Sequence, residues 1–403
     1  MVFEQRGELL LVASQYLLKD VNGVNSDGKS LETMMVLDEG ESECVELLRA
    51  QLDMLYLHVI FHVTRPALDS LFRNNPSYDL AGLLGGTEVE IRNLVRSGES
   101  ELALGLDAIP TLPLPPTLRT SLVKALDAAR DNFAVFGFLI AKDGRLVAGV
   151  GPRMGKTRFG GMMAHTRNFL LLANFVRSNP QVASTQTWAP LCMPLFDDSG
   201  HFQVYGSSVS PGVSGRLFFL LLIADTSLVH FHEASTRCSS FADKMKTQLQ
   251  TVEDQLAVEV SPDDLLGDTL RQQIKPSSRP LHVVLRVTNK DQQSSQFFET
   301  QKSSPLNPFP PTESNRGWHY LLKRYSTIRF KALEDPSCKL VYDARTRDAV
   351  LWYRESAGMD SELEILAQFP PLANQTQVSL VAGRLKAYAQ KEHSRLFCFP
   401  TTM

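Results

Sequence analysis

Between Thr187 and Leu249 the spacing of apolar residues changes period, and that change sets the narrowest limit on the fold. Trp188 to Phe196 is apolar and β-leaning, and Asp197-Asp198-Ser199-Gly200 is a turn cluster. From His201 to Val209, Phe202 and Val204 alternate with Gln203 and Tyr205, as in a half-buried strand. Leu217 to Ile223 is continuously apolar, which suits a strand covered on its faces. From Leu228 the apolar positions fall at Phe231, Ala234, Cys238, Phe241, Met245 and Leu249, so the spacing predicts one helix laid on that sheet.

The same pattern is written twice more. Met1 to Ser14 holds two short apolar runs around Arg6-Gly7, and Val45, Leu48, Leu52, Leu55 and Val59 then step by three and four. Near the other end, Lys339–Tyr342 and Val350–Tyr353 flank a turn at Ala344 to Asp348. Leu363–Phe369 makes a further run, and Val378, Val381, Leu385 and Tyr388 predict the closing helix. Long, unequal spacing argues for an α+β chain of three related domains and against a solenoid. The boundaries read as a partial first domain over 1–105, a linker and helix over 106–130, a second domain over 131–275 and a third over 276–403.

Several function classes drop out early. No window approaches the ~18 uncharged apolar residues of a membrane span, and Met1 to Arg6 lacks the cationic lead of a signal peptide. Cys44, Cys192, Cys238, Cys338 and Cys398 are scattered and never paired as CxxC, so they read as reduced thiols of a cytosolic protein without structural zinc. The net charge of −3 hides an asymmetry: 24 Lys and Arg face 32 Asp and Glu up to residue 275, but 17 face 12 beyond it. A basic last third suits an anionic membrane or an acidic partner. Nucleic acid is not expected, since no basic run carries interleaved aromatics.

Along the chain, Asn22–Gly40 reads as a loop, Glu43–Val63 as a helix, and Thr64-Arg65-Pro66 as a cap and early proline restarting a second helix that carries Leu68, Leu71 and Phe72. Ile109–Pro116 reads as a stiff linker, with an SH3 ligand the less favoured alternative. A helix through Leu118, Leu122, Val123 and Leu126 then leads to a strand at Phe133–Ala141, a two-residue turn at Asp143-Gly144 and a strand at Leu146–Val150. Met162–Val176 is a crossing helix. Residues 252 to 278 carry the chain to the third domain, where Asp291–Asn315 reads as poorly ordered.

Catalytic motifs fail on spacing. Gly151-Pro152-Arg153-Met154-Gly155-Lys156-Thr157 has three residues between its glycines where a phosphate loop needs four. His58 and His62 share a helical face, but Val59 stands where a zinc protease needs Glu and no third ligand is evident. They read as core or interface histidines. His230 and His232, two apart near a helix start, would point to different faces of a helix and so are no metal pair, and Ser214 lacks the glycine spacing of a nucleophile elbow. No catalytic residue, metal or cofactor is assigned.

Asn75-Pro76-Ser77-Tyr78-Asp79-Leu80-Ala81-Gly82-Leu83-Leu84-Gly85-Gly86-Thr87-Glu88 leads into a helix through Ile91, Leu94 and Val95. With Thr187–Phe196, Gly200 and Phe202, and with Arg384-Leu385, Lys391-Glu392 and Arg395-Leu396-Phe397, this resembles the vacuolar fusion protein Mon (monensin-sensitivity) family over nearly the whole chain. The resemblance implies three longin domains, each a five-stranded antiparallel sheet with helices on both faces. It also implies strands and a helix ahead of Met1 in the first, so that domain is expected to be truncated at its N-terminus.

What the resemblance further implies is a subunit of the Mon–Ccz guanine nucleotide exchange factor. Such a subunit pairs with a Ccz-type longin subunit and activates a late-endosomal or vacuolar Rab GTPase of the Rab-seven type in endosome maturation, vacuole fusion and autophagy. It would work in the cytoplasm, peripherally on endosome and vacuole membranes, and without covalent catalysis. A non-exchanging longin scaffold or tether is the alternative. Tyr78, Asp79, Leu80, Leu83, Leu84, Gly85, Gly86 and Thr87 then hold the helical layer of the first domain, Gly85-Gly86 giving backbone freedom and Thr87 a helix cap. Candidates to face an anionic phospholipid membrane are Arg316, Lys323, Arg324, Arg329, Lys331, Lys386, Lys391 and Arg395.

Overall fold

The computed structural model describes residues 2–6, 9–13, 43–75, 77–130, 134–151, 166–184, 186–209, 217–224, 231–251, 274, 279–289, 294–300, 314–346, 348–356, 361–371 and 373–398. The chain opens on an antiparallel ribbon, β1 (Val2–Arg6) and β2 (Leu9–Ala13). Among the described residues four helices follow: α1 (Glu43–Val63), α2 (Arg65–Asn74), α3 (Glu88–Ser100) and the short α4 (Leu102–Leu106). The two-residue strand β3 (Ile109–Pro110) and α5 (Pro116–Arg130) lead to the first large sheet.

That sheet is antiparallel and comprises β4 (Phe136–Ala141), β5 (Leu146–Val150), β6 (Thr187–Met193), β7 (Asp197–Ser208) and β8 (Leu217–Ala224), in the order β5-β4-β8-β7-β6. Between β5 and β6 run α6 (Thr166–Ser178) and α7 (Pro180–Ser184), and α8 (Phe231–Thr251) follows the last strand. Side chains alternate across the strands and feed two cores. Phe136, Phe138, Ile140, Val204, Leu220 and Leu222 pack towards α6 and α1. Leu139, Tyr205, Phe219, Leu221 and Ile223 pack towards α5 and α8. The predicted stripe of α8 is buried at Ala234, Cys238, Met245 and Leu249, whereas Phe231 is exposed and its ring meets Trp188 at 5.1 Å.

The second sheet repeats the connectivity. β9 (His282–Asn289), β10 (Ser294–Glu299), β11 (Leu340–Ala344), β12 (Ala349–Ser356) and β13 (Ser361–Phe369) lie in the order β11-β12-β13-β9-β10. Numbered from its own first strand, each sheet reads 2-1-5-4-3. A helix crosses between strands two and three, here α9 (Ser314–Glu334), and another trails the fifth, here α10 (Gln375–Lys391), which is followed by α11 (His393–Leu396). Tyr325 and Ile328 of α9 pack on Val284, Val350, Trp352 and Leu366. Val378, Val381 and Leu385 of α10 pack on Leu285, Leu351, Leu363 and Ile365, on the opposite face.

Several sequence expectations are corrected. The β6–β7 reversal lies at 194–196, with the Phe196 amide donating to the Met193 carbonyl at 2.9 Å, because Pro194 presets the turn. Asp197–Gly200 instead opens β7. The β4–β5 connection runs over 142–145 and is not a two-residue turn: the Gly144 amide, at φ 89°, donates to the Ala141 carbonyl, and the Ala141 amide donates to the Arg145 carbonyl. Ser294–Glu299, expected to be poorly ordered, is β10, and Ser295 and Gln296 are buried with partners. Ser295 accepts from Arg286 and Gln296 from the Cys398 amide. The strand expected from Phe133 starts at Phe136, the crossing helix starts at Thr166, and Gly151–Thr157 beyond its first residue lies outside the described residues.

The stretch Ile109–Pro116 is neither a free spacer nor an exposed ligand. Ile109, Thr111 and Leu114 are buried. β3 pairs in parallel with β10, and the Thr111 amide donates to Phe297 at 3.0 Å. One residue on, Thr111 bridges to Leu146 of β5 and the Leu112 amide donates to the Leu146 carbonyl. The segment therefore fills the seam between the second strands of the two repeats.

Candidate functional site

The segment carrying the family resemblance lies on the helical layer formed by α1 to α3. Helix α1 was expected to bury one stripe, but Leu52, Met54, Leu57, His58, Ile60 and Phe61 are all buried, because partners surround it. Met54, Leu57 and Phe61 join the core beneath α6, while Val59, Ile60 and Val63 join Leu68 and Phe72 of α2 and Cys192 of β6. Thr64 links α1 to α2 at φ 71° and ψ 151°, a region β-branched residues seldom occupy, and its hydroxyl makes no cap hydrogen bond. Arg65 pairs with Asp198 of β7 at 2.6 Å, which ties this junction to the second unit.

After α2 the chain folds back as an irregular loop. Tyr78, Leu80 and Leu84 are half-buried against Val59, Ile60, Val63, Leu68 and Phe72. The Asp79 carboxylate accepts from the Ala81 amide at 2.9 Å, and the Leu83 and Leu84 amides both donate to the Leu80 carbonyl. Gly86 has φ 93°, the left-handed conformation glycine favours. Gly85 and Leu83 are exposed. Thr87 holds the N-cap position of α3 but does not cap it with its side chain. Its hydroxyl donates back to the Leu84 carbonyl at 2.9 Å, and the Glu88 carboxylate accepts from the Gly86 amide instead. The loop thus offers Leu83, and α3 offers Val89 and Val95, as large apolar side chains open to a partner.

The basic residues proposed to face a membrane do not form one surface. Arg324 is buried and pairs with Asp348 at 2.5 Å and Asp343 at 3.0 Å. Arg329 is buried and pairs with Glu364 at 2.8 Å. Both are removed from the membrane-facing set, since each neutralises an acid inside the fold. Lys323 and Lys331 are exposed on α9 and Lys391 is exposed on α10, so they stand on opposite faces of the second sheet. Lys386 pairs with Glu355 at 2.7 Å, and Arg395 lies 3.8 Å from Glu392. Arg316 lies within α9, but its side chain is outside the described residues.

Sequence reasoning passed over a buried polar centre beneath α9. Glu364 takes Arg286 at 2.9 Å, Arg329 at 2.8 Å and the Trp352 indole N–H at 2.6 Å. Arg286 and Arg329 also donate to the carbonyls of Leu106 and Gly105, which locks α4 onto the second sheet. Burial works to raise the pKa of Glu364, but Arg329 and Arg286 outweigh it and hold the carboxyl below its usual range. The signal available in the sequence was a charged residue inside an apolar strand, Glu364 between Leu363 and Ile365.

No protein-family model matches the chain. Among curated proteins it is 22% identical over 378 residues to the vacuolar fusion protein MON1 homolog of Oryza sativa, covering 89% of this chain and 62% of that protein. It is 23% identical over 356 residues to MON1 homolog A of Homo sapiens, covering 87% of this chain and 49% of the relative. It is also 31% identical over 175 residues to MON1 of Cryptococcus neoformans, covering 43% of this chain and 27% of the relative. The chain therefore spans less than two thirds of the relatives it matches. A solved histidine kinase sensor domain, DctB of V. cholerae, covers 81% of this chain at 11% identity with a TM-score of 0.17, too low to bear on the fold. Plants, fungi and mammals thus supply relatives of one name, and vacuolar fusion protein MON1 is what this chain is similar to over most of its length.

Proposed function

We propose that this chain acts in vacuolar fusion as a subunit of a Mon–Ccz-type guanine nucleotide exchange factor for a late-endosomal or vacuolar Rab GTPase. The observation that carries the reading is the similarity to MON1 proteins across nearly nine tenths of this chain. Exchange needs no bond-making pocket. A factor that binds the nucleotide-free GTPase preferentially lowers nucleotide affinity by the same coupling factor. Nanomolar nucleotide binding is worth about 12 kcal/mol, so the opposing interface must be large and spread over many side chains. The helical layer with Leu83, Val89 and Val95 exposed is the surface we assign to the Ccz-type subunit or the GTPase. No described helix is long and apolar enough to cross a membrane, which is compatible with peripheral attachment to endosome or vacuole membranes.

The test is release of labelled GDP from a Rab of the seven type, with this chain alone and co-expressed with a Ccz-type subunit. The reading expects acceleration by the pair. No acceleration by the complete pair would leave a non-exchanging scaffold.

A further inference from the structure

His58 and His62 stand four residues apart on α1 and share one face, their rings meeting edge to face at 4.7 Å between centroids. The third ligand, not evident in the sequence, arrives from α3. His62 Nε2 lies 3.0 Å from Glu90 Oε2, and His58 Nδ1 lies 4.0 Å from the same oxygen. One ligand atom from each of the three residues falls within 4.8 Å of the others. His58 is 1% exposed, and neither of its ring nitrogens has a hydrogen-bond partner. A buried polar atom left without a partner is costly, and such an atom calls for an explanation.

We propose that His58, His62 and Glu90 form a binding site for a divalent transition-metal cation, with zinc the best match. Two imidazoles and one carboxylate suit zinc, which takes nitrogen and oxygen ligands tetrahedrally, with water completing the fourth position. Magnesium and calcium prefer all-oxygen shells and fit poorly. The supporting shell is built in. Asn174 of α6 donates to the Glu90 carbonyl at 3.0 Å, and the His201 ring lies 3.2 Å from the His62 carbonyl, so α1, α3, α6 and β7 all hold the ligands. Burial, reinforced by His62, lowers the His58 pKa to about 3, which keeps its lone pair free at neutral pH. His62, 16% exposed in its side chain, gives the cation a path in. The metal would pin α3 to α1 beneath the Tyr78–Thr87 loop.

The test uses the 403-residue chain stripped with a chelator and titrated with Zn²⁺, then Co²⁺ as a coloured probe and Mg²⁺ as control. The site predicts one Zn²⁺ per chain, a raised thermal midpoint and tetrahedral Co²⁺ absorption, with no response to Mg²⁺. His62→Gln and Glu90→Gln should each weaken Zn²⁺ binding tenfold or more while keeping the far-UV spectrum. His58→Leu, which suits its apolar surroundings, should abolish the Co²⁺ signal in a chain that still melts cooperatively. Absence of Zn²⁺ binding by the parent protein, or equal binding by all four proteins, would overturn the assignment.

Discussion

Glu364 shows how one side chain can hold several elements. Two buried guanidinium groups and an indole converge on it, so Glu364→Gln leaves two cations short of a counter-charge and should cost about 3–5 kcal/mol in urea unfolding. Arg119 plays the converse part. Its guanidinium donates to the carbonyls of Ser394, Arg395 and Phe397 and to that of Leu112, so Arg119→Met should cost about 3 kcal/mol and expose the amides of α11 to exchange first.

The acid response follows from two groups. Glu364 is depressed, so its stabilising contribution is complete above the unfolded value of 4.5 and is lost as pH falls through the lower folded value. His58 is also depressed, but as a base: below 6.5 the unfolded chain takes up a proton that the folded chain refuses down to about 3. Folding should therefore weaken below pH 6.5, by up to ~1.4 kcal/mol per pH unit from this residue. Urea midpoints compared at pH 7.5 and 5.5 should show the loss, and His58→Leu should reduce it.

Among the elements, the short strand β3 has an effect out of proportion to its length. Thr111 donates its amide to Phe297 and its hydroxyl to Phe297 and Leu396, while Leu112 donates to Leu146. Thr111→Val should cost about 1–2 kcal/mol, and the amides of Thr111 and Leu112 should exchange as slowly as those of β4 and β9. Fast exchange there would mean that the two sheets are not joined through the strap. The β4–β5 loop makes a smaller case. Gly144 at φ 89° has the Arg177 side chain beside it, so Gly144→Ala should cost about 1–2 kcal/mol through backbone strain.

Across the molecule, α1 to α4 cover the crossing helices of both repeats. Met54, Leu57, Phe61 and Leu94 share a core with α6, and Leu102, Ala103 and Leu106 share one with α9. A flat membrane can meet only one face of the second sheet. Charge reversal of Lys323 with Lys331, or of Lys391 alone, should therefore differ in effect on recruitment of the chain to anionic liposomes. Each residue on the contacting face is worth about 1 kcal/mol. Unchanged recruitment by both variants at low salt would remove this sheet from the membrane-facing surface.

The stripes of α8 and α10 could be read directly, because neighbours three or four residues apart decide which face turns inward, whereas β7, read as half-buried, has Tyr205 of its other face buried towards α5 and α8. The matching pattern of the two sheets was visible for the same reason. What local period could not reveal was any feature completed by a remote partner. Ser295 and Gln296 of β10 are buried because Arg286 and Cys398 satisfy them, and the proline-rich segment becomes a strand because two sheet edges flank it. Arg324 and Arg329 turn inward because Asp348 and Glu364 wait there, 24 and 35 residues away. Glu90 reaches His62 across 28 residues. Charge and polarity read as surface until folding supplies the opposite charge or the missing donor.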